Sequence, residues 1–133
     1  MLEKDIDTLA RTIYGEARGE SHHGKIAVGW VVKNRAEKGG WWGNEINECC
    51  TKPWQFSCWN ENDPNREKLL NVNLDDIDFA KCYNAALDVI LGQEPDPVDG
   101  STHYHTSAIS PNWSEGKHPV CSIGTHVFYN DVE

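Results

Sequence analysis

The hydrophobic spacing of this chain predicts an α+β fold, mainly helical, with a small antiparallel sheet near the C-terminus. Three observations carry that prediction. Apolar residues recur at three-four spacing over 5–38, the same spacing returns over 76–91, and β-rich runs occupy 101–106 and 123–129.

Ile6, Leu9, Ala10, Ile13, Tyr14 and Ala17 share one helical face, which predicts a helix from about Asp5 to Ala17, with Asp5 or Asp7 favouring its start. Gly19 stops it. Ser21 then caps a second helix that runs through Ile26, Ala27, Trp30, Val31 and Asn34 to the break at Lys38-Gly39-Gly40. This helix reads as mostly buried, with Trp30 in the core. From Trp41 to Asn73 the periodicity fades into an irregular segment rich in Gly, Pro, Asn and Trp, broken by one short helix around Asn44 to Cys49. Asp75 or Asp76 starts a third helix, with Phe79, Ala80, Tyr83, Ala86, Leu87 and Ile90 on one face and Gly92 past its end. Ser101–Thr106 and Ile123–Tyr129 are expected to pair as antiparallel strands. No repeat or second periodic block appears, so residues 1–133 read as one domain.

Composition narrows the function. The chain is 38% hydrophobic with six Trp, four Tyr and three Phe, enough for a buried core, and no apolar run nears the roughly 20 residues of a spanning helix. No membrane anchor is expected. Met1 to Asp7 lacks the basic and apolar regions of a secretory signal, which predicts synthesis in the cytoplasm and release to any outer target by another route. A net charge of -9 argues against a nucleic-acid partner, because such proteins neutralise phosphates with clustered Lys and Arg. Five cysteines at irregular spacing, an odd number, read as reduced thiols. The chain is expected to act as a monomer without a cofactor.

The break between the first two helices carries the chemistry. Glu16 falls in the last turn of the first helix, where the negative end of the helix dipole and the neighbours Ile13 and Tyr14 all favour the neutral acid. A carboxylic acid held protonated is what a glycosidase needs to protonate a departing glycosidic oxygen. Arg11 or Arg18 can instead pair with it and favour the carboxylate. Glu20 lies four residues on, and two carboxylates lining one cleft would form the close pair of a retaining glycosidase, about 5 to 5.5 Å apart. Its other reading is an N-terminal charge on the second helix.

The run Leu9-Ala10-Arg11 through Tyr14-Gly15-Glu16-Ala17-Arg18-Gly19-Glu20, followed by Gly24, Ala27-Val28 and Val32-Lys33-Asn34-Arg35, resembles the signature of the SleB-type cell-wall hydrolases, the spore-cortex-lytic family also found in phages. Gln55-Phe56-Ser57, Gly92 with Asp96-Pro97 and Gly100, and Ile123-Gly124-x-His126-x-Phe128-Tyr129 resemble its later motifs. The resemblance spans Leu9 to Tyr129 and implies a single lysozyme-like or transglycosylase-like catalytic domain that cleaves peptidoglycan between N-acetylmuramic acid and N-acetylglucosamine. It implies one essential glutamate, which falls on Glu16. If the muramyl C6 hydroxyl attacks, the product is a 1,6-anhydro sugar and no second carboxylate is needed. If water attacks, Glu20 or a loop Asp is the candidate partner and the enzyme is a muramidase. Residues 1–133 read as the catalytic domain alone, without the wall-binding module and export signal of many spore enzymes, and the expectation from this is a phage lysis enzyme acting on the wall of its host.

Trp41, Trp42, Trp54 and Trp59 are candidates for a sugar platform, each with packing on the helices as its alternative. Gln55, Ser57 and Trp54 are the favoured substrate contacts of that segment, Phe56 a packing anchor, and Tyr104 and Tyr129 further contacts from the strands. The main rival places zinc on His103, His105, His126 and Cys121, giving a wall amidase or peptidase, while a hydrogen-bonded His and Tyr network is the structural alternative. A thiolate nucleophile would fall on Cys58, near Trp54 and Gln55, and needs a base that the sequence does not place. A wall-binding module without catalysis is the remaining class. His22 and His23 read as exposed.

Overall fold

A computed structural model describes residues 2–53 and 55–132, so the expectation for Trp54 lies outside the described residues. Among the described residues, five α-helices precede a three-stranded sheet.

The first helix, α1 (Leu2–Ala17), begins three residues before the predicted start. Glu3 and Asp5 sit in its first turn, where the helix dipole favours carboxylates. Asp5 also accepts hydrogen bonds from Asn47 N at 3.2 Å and Nδ2 at 2.8 Å, pinning the short helix α3 (Ile46–Thr51) against α1. Leu9, Ala10 and Ile13 are fully buried, as the spacing predicts. The second helix, α2 (His22–Lys38), is capped by Ser21, whose hydroxyl accepts from Gly24 N at 3.1 Å. It ends at Gly39, in the left-handed region at φ 66°. Trp30 departs from the expectation. It is half-buried at the margin of the core, its indole donating to Glu94 O at 3.2 Å.

The helix α4 (Pro64–Asn71) occupies ground read from the sequence as irregular. Only Leu69 of it is buried, so no apolar stripe announces it, but Asp63 caps it by accepting from Asn65 N at 2.8 Å and Pro64 takes the first turn. Arg11 closes its far end by donating to Leu69 O and to Val72 O. The helix α5 (Ile77–Ile90) follows, capped by Asp76 and packed across α1 and α2 through Phe79, Cys82, Ala86 and Val89.

The sheet has the order β1-β3-β2, with β1 (His103–Thr106), β2 (Cys121–Ile123) and β3 (His126–Tyr129) all antiparallel. The run 123–129 is therefore not one strand. Ile123 ends β2, and the turn at Gly124, φ 58°, reverses the chain into β3. Phe128 drops from β3 into the helical core. The segment before β1 is fastened to the end of α2: Asn34 Nδ2 donates to Ser101 O at 3.0 Å and to Asp96 Oδ2 at 3.1 Å, and Arg35 Nε donates to Thr102 O at 2.7 Å. Asp96 in turn accepts from Val98 N and Gly100 N, both at 2.7 Å.

Gly15 lets the chain around Cys58 close over α1. A Cβ at that position would sit 2.6 Å from Cys58 Cβ and 2.7 Å from its Sγ, inside any real contact. Gly15→Ala is expected to destabilise the protein by about 1–3 kcal/mol through overpacking, and to lower activity by displacing the residues beside Glu16. Denaturant unfolding with a parallel activity assay checks this, and unchanged stability would contradict the packing described.

Candidate active site

An open cleft of about 470 Å³ runs between the end of α1, the segment before Cys58, and the edge strand β1. Its walls include Glu16, Arg35, Gln55, Ser57, Asn65, Tyr104, His105, Thr106, Ile109, Pro111, Trp113 and His126. Because β1 is an edge strand, side chains from both sheet faces reach this space. Tyr104 and His126 come from one face, His105 from the other.

Glu16 is half-buried at the floor. Its Oε1 accepts from Tyr104 Oη at 2.6 Å, and the Cys58 thiol lies close enough to feel its charge. Burial first, then the Glu16 charge, pushes the Tyr104 hydroxyl well above its ordinary range. The same two causes push the Cys58 thiol far up. Both groups therefore stay protonated and neutral. Neither arginine flagged by the sequence pairs with Glu16. Arg11 Nε bonds Asp7 Oδ2 at 3.0 Å, and Arg18 Nη2 donates to Asn65 Oδ1 at 2.8 Å while lying over the Tyr14 ring.

The cation nearest in effect is Arg35, which sequence reasoning placed in a motif but gave no role. It is buried, 7% exposed, between the rings of Phe56 at 5.0 Å and Trp42 at 5.5 Å from its guanidinium carbon. Its Nη1 reaches Gln55 Oε1 at 3.4 Å. Burial lowers its pKa, opposed by Tyr104, Cys49 and Glu16 among its neighbours.

Of the residues proposed from sequence, Glu16, Gln55, Ser57 and Tyr104 meet in this cleft. Glu20 does not. Its Oε1 accepts from Thr125 N at 3.0 Å and its Oε2 from Thr125 Oγ1 at 3.2 Å, so the carboxylate clasps the β2–β3 turn. A Cβ at Gly124 would collide with that carboxylate. Tyr129 is buried, 6% exposed, with its hydroxyl bonded to His105 Nε2 at 2.9 Å; it supports the cleft wall from beneath.

The tryptophan expectations are also revised. Trp42 packs on Arg35 and His103, Trp41 is exposed with Lys52 over its ring, and Trp59 donates to Thr12 Oγ1 at 2.9 Å. None of these three lines the cleft. Trp113 does, wedged among His103, His105 and Tyr129 with ring centroids 5.2–5.6 Å apart. It lies in a turn without periodicity, and only its being an aromatic between two strands pointed to it.

Strand alternation separates the proposed zinc ligands. His103 and His105 point to one face of the sheet, while the register puts His126 opposite Thr106 and Cys121 opposite Phe128, on the other. Among the described residues, the only three metal-ligating side chains with ligand atoms gathered are His22, Asp88 and Glu94 at the surface. Of the hydrogen-bonded alternative, what forms is the single bond between His105 Nε2 and Tyr129 Oη at 2.9 Å, while His126 packs edge-on against the Tyr104 ring. The thiolate reading fails as well, since Cys58 is a buried thiol beside a carboxylate. None of the five cysteines is disulfide-bonded.

Burial, with Arg35 and Lys38 nearby, pulls His103 down to about 4. In the unfolded chain a His titrates near 6.5. Between those values the unfolded state binds the extra proton, so this contribution is intact above about pH 6.5 and is lost as pH falls toward 4. His103→Gln is expected to show a smaller Tm loss between pH 7 and 4.5 than the parent, by calorimetry, and an equal loss would contradict it.

The fold and its acid-floored cleft define a class. Residues 19–129 match the model of the Cell Wall Hydrolase family, and the chain belongs to that family. Spore cortex-lytic enzymes of Halalkalibacterium halodurans and Bacillus subtilis are 28% identical over 129 residues and 29% over 126. These alignments cover 96% and 93% of this chain but 35% and 37% of those proteins, so the chain spans little more than a third of their length. The fold matches the catalytic domain of the Bacillus cereus SleB protein at TM-score 0.76 and 24% identity, covering 96% of this chain and 90% of that one. It also matches the catalytic domain of the germination-specific lytic transglycosylase SleB from Bacillus anthracis at TM-score 0.75 and 25% identity, covering 96% and 94%. Among the described residues no helix is long and apolar enough to cross a membrane.

Proposed function

We propose that residues 1–133 form one catalytic domain that cleaves the glycan strand of peptidoglycan between N-acetylmuramic acid and N-acetylglucosamine, as a lytic transglycosylase with Glu16 as its acid and base. One observation carries the reading: among the described residues lining the cleft, Glu16 is the sole carboxylate. Most retaining and inverting hydrolases use two.

In the first half of the reaction Glu16 gives its proton to the glycosidic oxygen and the bond to muramyl C1 breaks. The carboxylate left behind keeps the hydrogen bond from Tyr104, and the positive Arg35 is near enough to interact with the charge that develops there. In the second half the muramyl C6 hydroxyl attacks C1 and returns its proton to Glu16, closing a 1,6-anhydro ring. Gln55, Ser57 and Asn65 supply hydrogen bonds for sugar hydroxyls, and Ile109 and Trp113 supply apolar surface for the pyranose faces.

Digestion of sacculi followed by mass spectrometry tests this. Anhydromuramyl ends that persist with chelator are expected. Reducing muramyl ends would make the enzyme a muramidase, and free peptides lost with chelator would return the reaction to amide bonds. The finer setting, a phage lysis enzyme, is part of the reading, and is checked by comparing vegetative sacculi with cortex peptidoglycan; exclusive action on cortex would overturn it.

Glu20→Gln separates a clasp from a second catalytic carboxylate. The variant is expected to lose about 1 kcal/mol of stability, from weakened bonds to Thr125, and to keep activity within about threefold. A loss of a hundredfold or more at unchanged stability would restore Glu20 to the chemistry.

A further inference from the structure

Beside the cleft lies a second recess, about 580 Å³, that the glycosidase chemistry does not use. Lys52, Trp59, Asn60, Glu61, Asn62 and Arg66 line it. The two sites are built on the same segments. Gln55 and Ser57 face the cleft while Lys52 and Trp59 face the recess, and the chain neighbours Asn65 and Arg66 face one each. Adjacent Cα atoms are about 3.8 Å apart, so the walls of the two sites meet.

The lining is unusual for a protein of net charge -9. Two cations and one carboxylate line it, in a chain whose 21 Asp and Glu outnumber its 12 Lys and Arg. Among the described residues Arg66 makes no ion pair, and Lys52 stands with its ammonium 4.9 Å from the Trp41 ring centroid. Trp59 has its indole N–H turned inward to Thr12 Oγ1, so its contribution to the wall is apolar. Glu61 adds one negative charge, and Asn60 and Asn62 add amides. A cavity of this kind suits a short polar chain that carries carboxylates, a free ammonium group and small apolar side chains.

We propose that this recess binds the stem peptide of the substrate, Arg66 and Lys52 taking its carboxylates and Glu61 its ammonium group. The proposal rests on the glycan-cleavage reading for its geometry. Glu16 must lie at the C1 oxygen of a muramyl ring, and the stem leaves that ring from the lactyl group on C3, sideways to the strand. A peptide bound there fixes which ring occupies the cleft, so the recess selects the muramyl bond over the glucosaminyl one.

The test uses a synthetic stem tripeptide containing D-glutamate and a diamino acid, titrated into the wild-type protein and into Arg66→Gln and Lys52→Gln by calorimetry. In parallel, kcat/KM is measured on glycan strands with and without stems. Saturable binding weakened about tenfold in each variant is expected, with the preference for stem-bearing strands collapsing toward one. Arg66→Lys, which keeps the charge, should recover part of both. Absence of peptide binding, or binding indifferent to Arg66 and Lys52, overturns the proposal. If neither glycan is cleaved while peptide binding still depends on Arg66, the glycosidase reading fails and the peptide site stands.

Discussion

Glu16→Gln is expected to lower the rate of glycan cleavage by about a thousandfold or more while leaving the fold intact. General acid–base catalysis by one positioned group is worth roughly 10²–10⁴ in rate, and here one group serves both half-reactions, so the upper part of that range applies. The amide preserves the local structure. Its carbonyl oxygen still accepts from Tyr104, which donates at 2.6 Å in the parent. What it lacks is an acidic proton to give. Tm is therefore expected to stay within about 2 °C of the parent, which assigns the lost rate to chemistry rather than to unfolding. Turnover on sacculi, read by release of soluble fragments, measures it. Activity within tenfold of the parent would remove Glu16 from the acid role and leave the cleft without an acid among its described residues.

How much of this was legible in the sequence depends on whether a residue acts within its own element. The helices α1, α2 and α5 announced themselves because an apolar stripe repeats at helical spacing and Ser21 and Asp76 cap where they should. Glu16 was legible by its motif and its place in a last turn. The helix α4 was not, since its single buried residue leaves no stripe; the pair Asp63-Pro64 was the signal available. Glu20 misled because four-residue spacing implies neighbours only on a continuous helix, and the chain turns at Gly19 and sends its carboxylate to Thr125, more than a hundred residues away. The histidines misled for a related reason. His-x-His fixes a shared face within β1, but the faces of Cys121 and His126 depend on register and on the turn at Gly124, which composition alone does not set. Tyr104 was named from its place on a strand, whereas Trp113 reaches the cleft by tertiary placement alone.

Arg35→Ala carries the second large effect, and it acts on stability first. The guanidinium fills the space between Phe56 and Trp42, donates to Thr102 O at 2.7 Å and reaches Gln55, so one side chain joins the end of α2 to the segment feeding β1 and to the cleft wall. Truncation leaves a cavity between two rings and an orphaned carbonyl on buried Thr102. The cavity costs about 2–3 kcal/mol and the unpaired acceptor about 1–3 kcal/mol, with partial relaxation returning some of each, so a loss near 3–4 kcal/mol is expected. For a domain of this size that lowers Tm by about 10–15 °C. Activity falls further than stability explains, because the positive charge that favours the Glu16 carboxylate during proton transfer is gone and Gln55 loses its anchor. A drop in kcat of about ten- to a hundredfold, measured well below the Tm of the variant, is the expected result. Arg35→Lys discriminates the two contributions: it keeps the charge but not the fork that spans Thr102 and Gln55, so it should recover more of the rate than of the stability. Equal recovery of both would mean that Arg35 serves the reaction only by holding the cleft together.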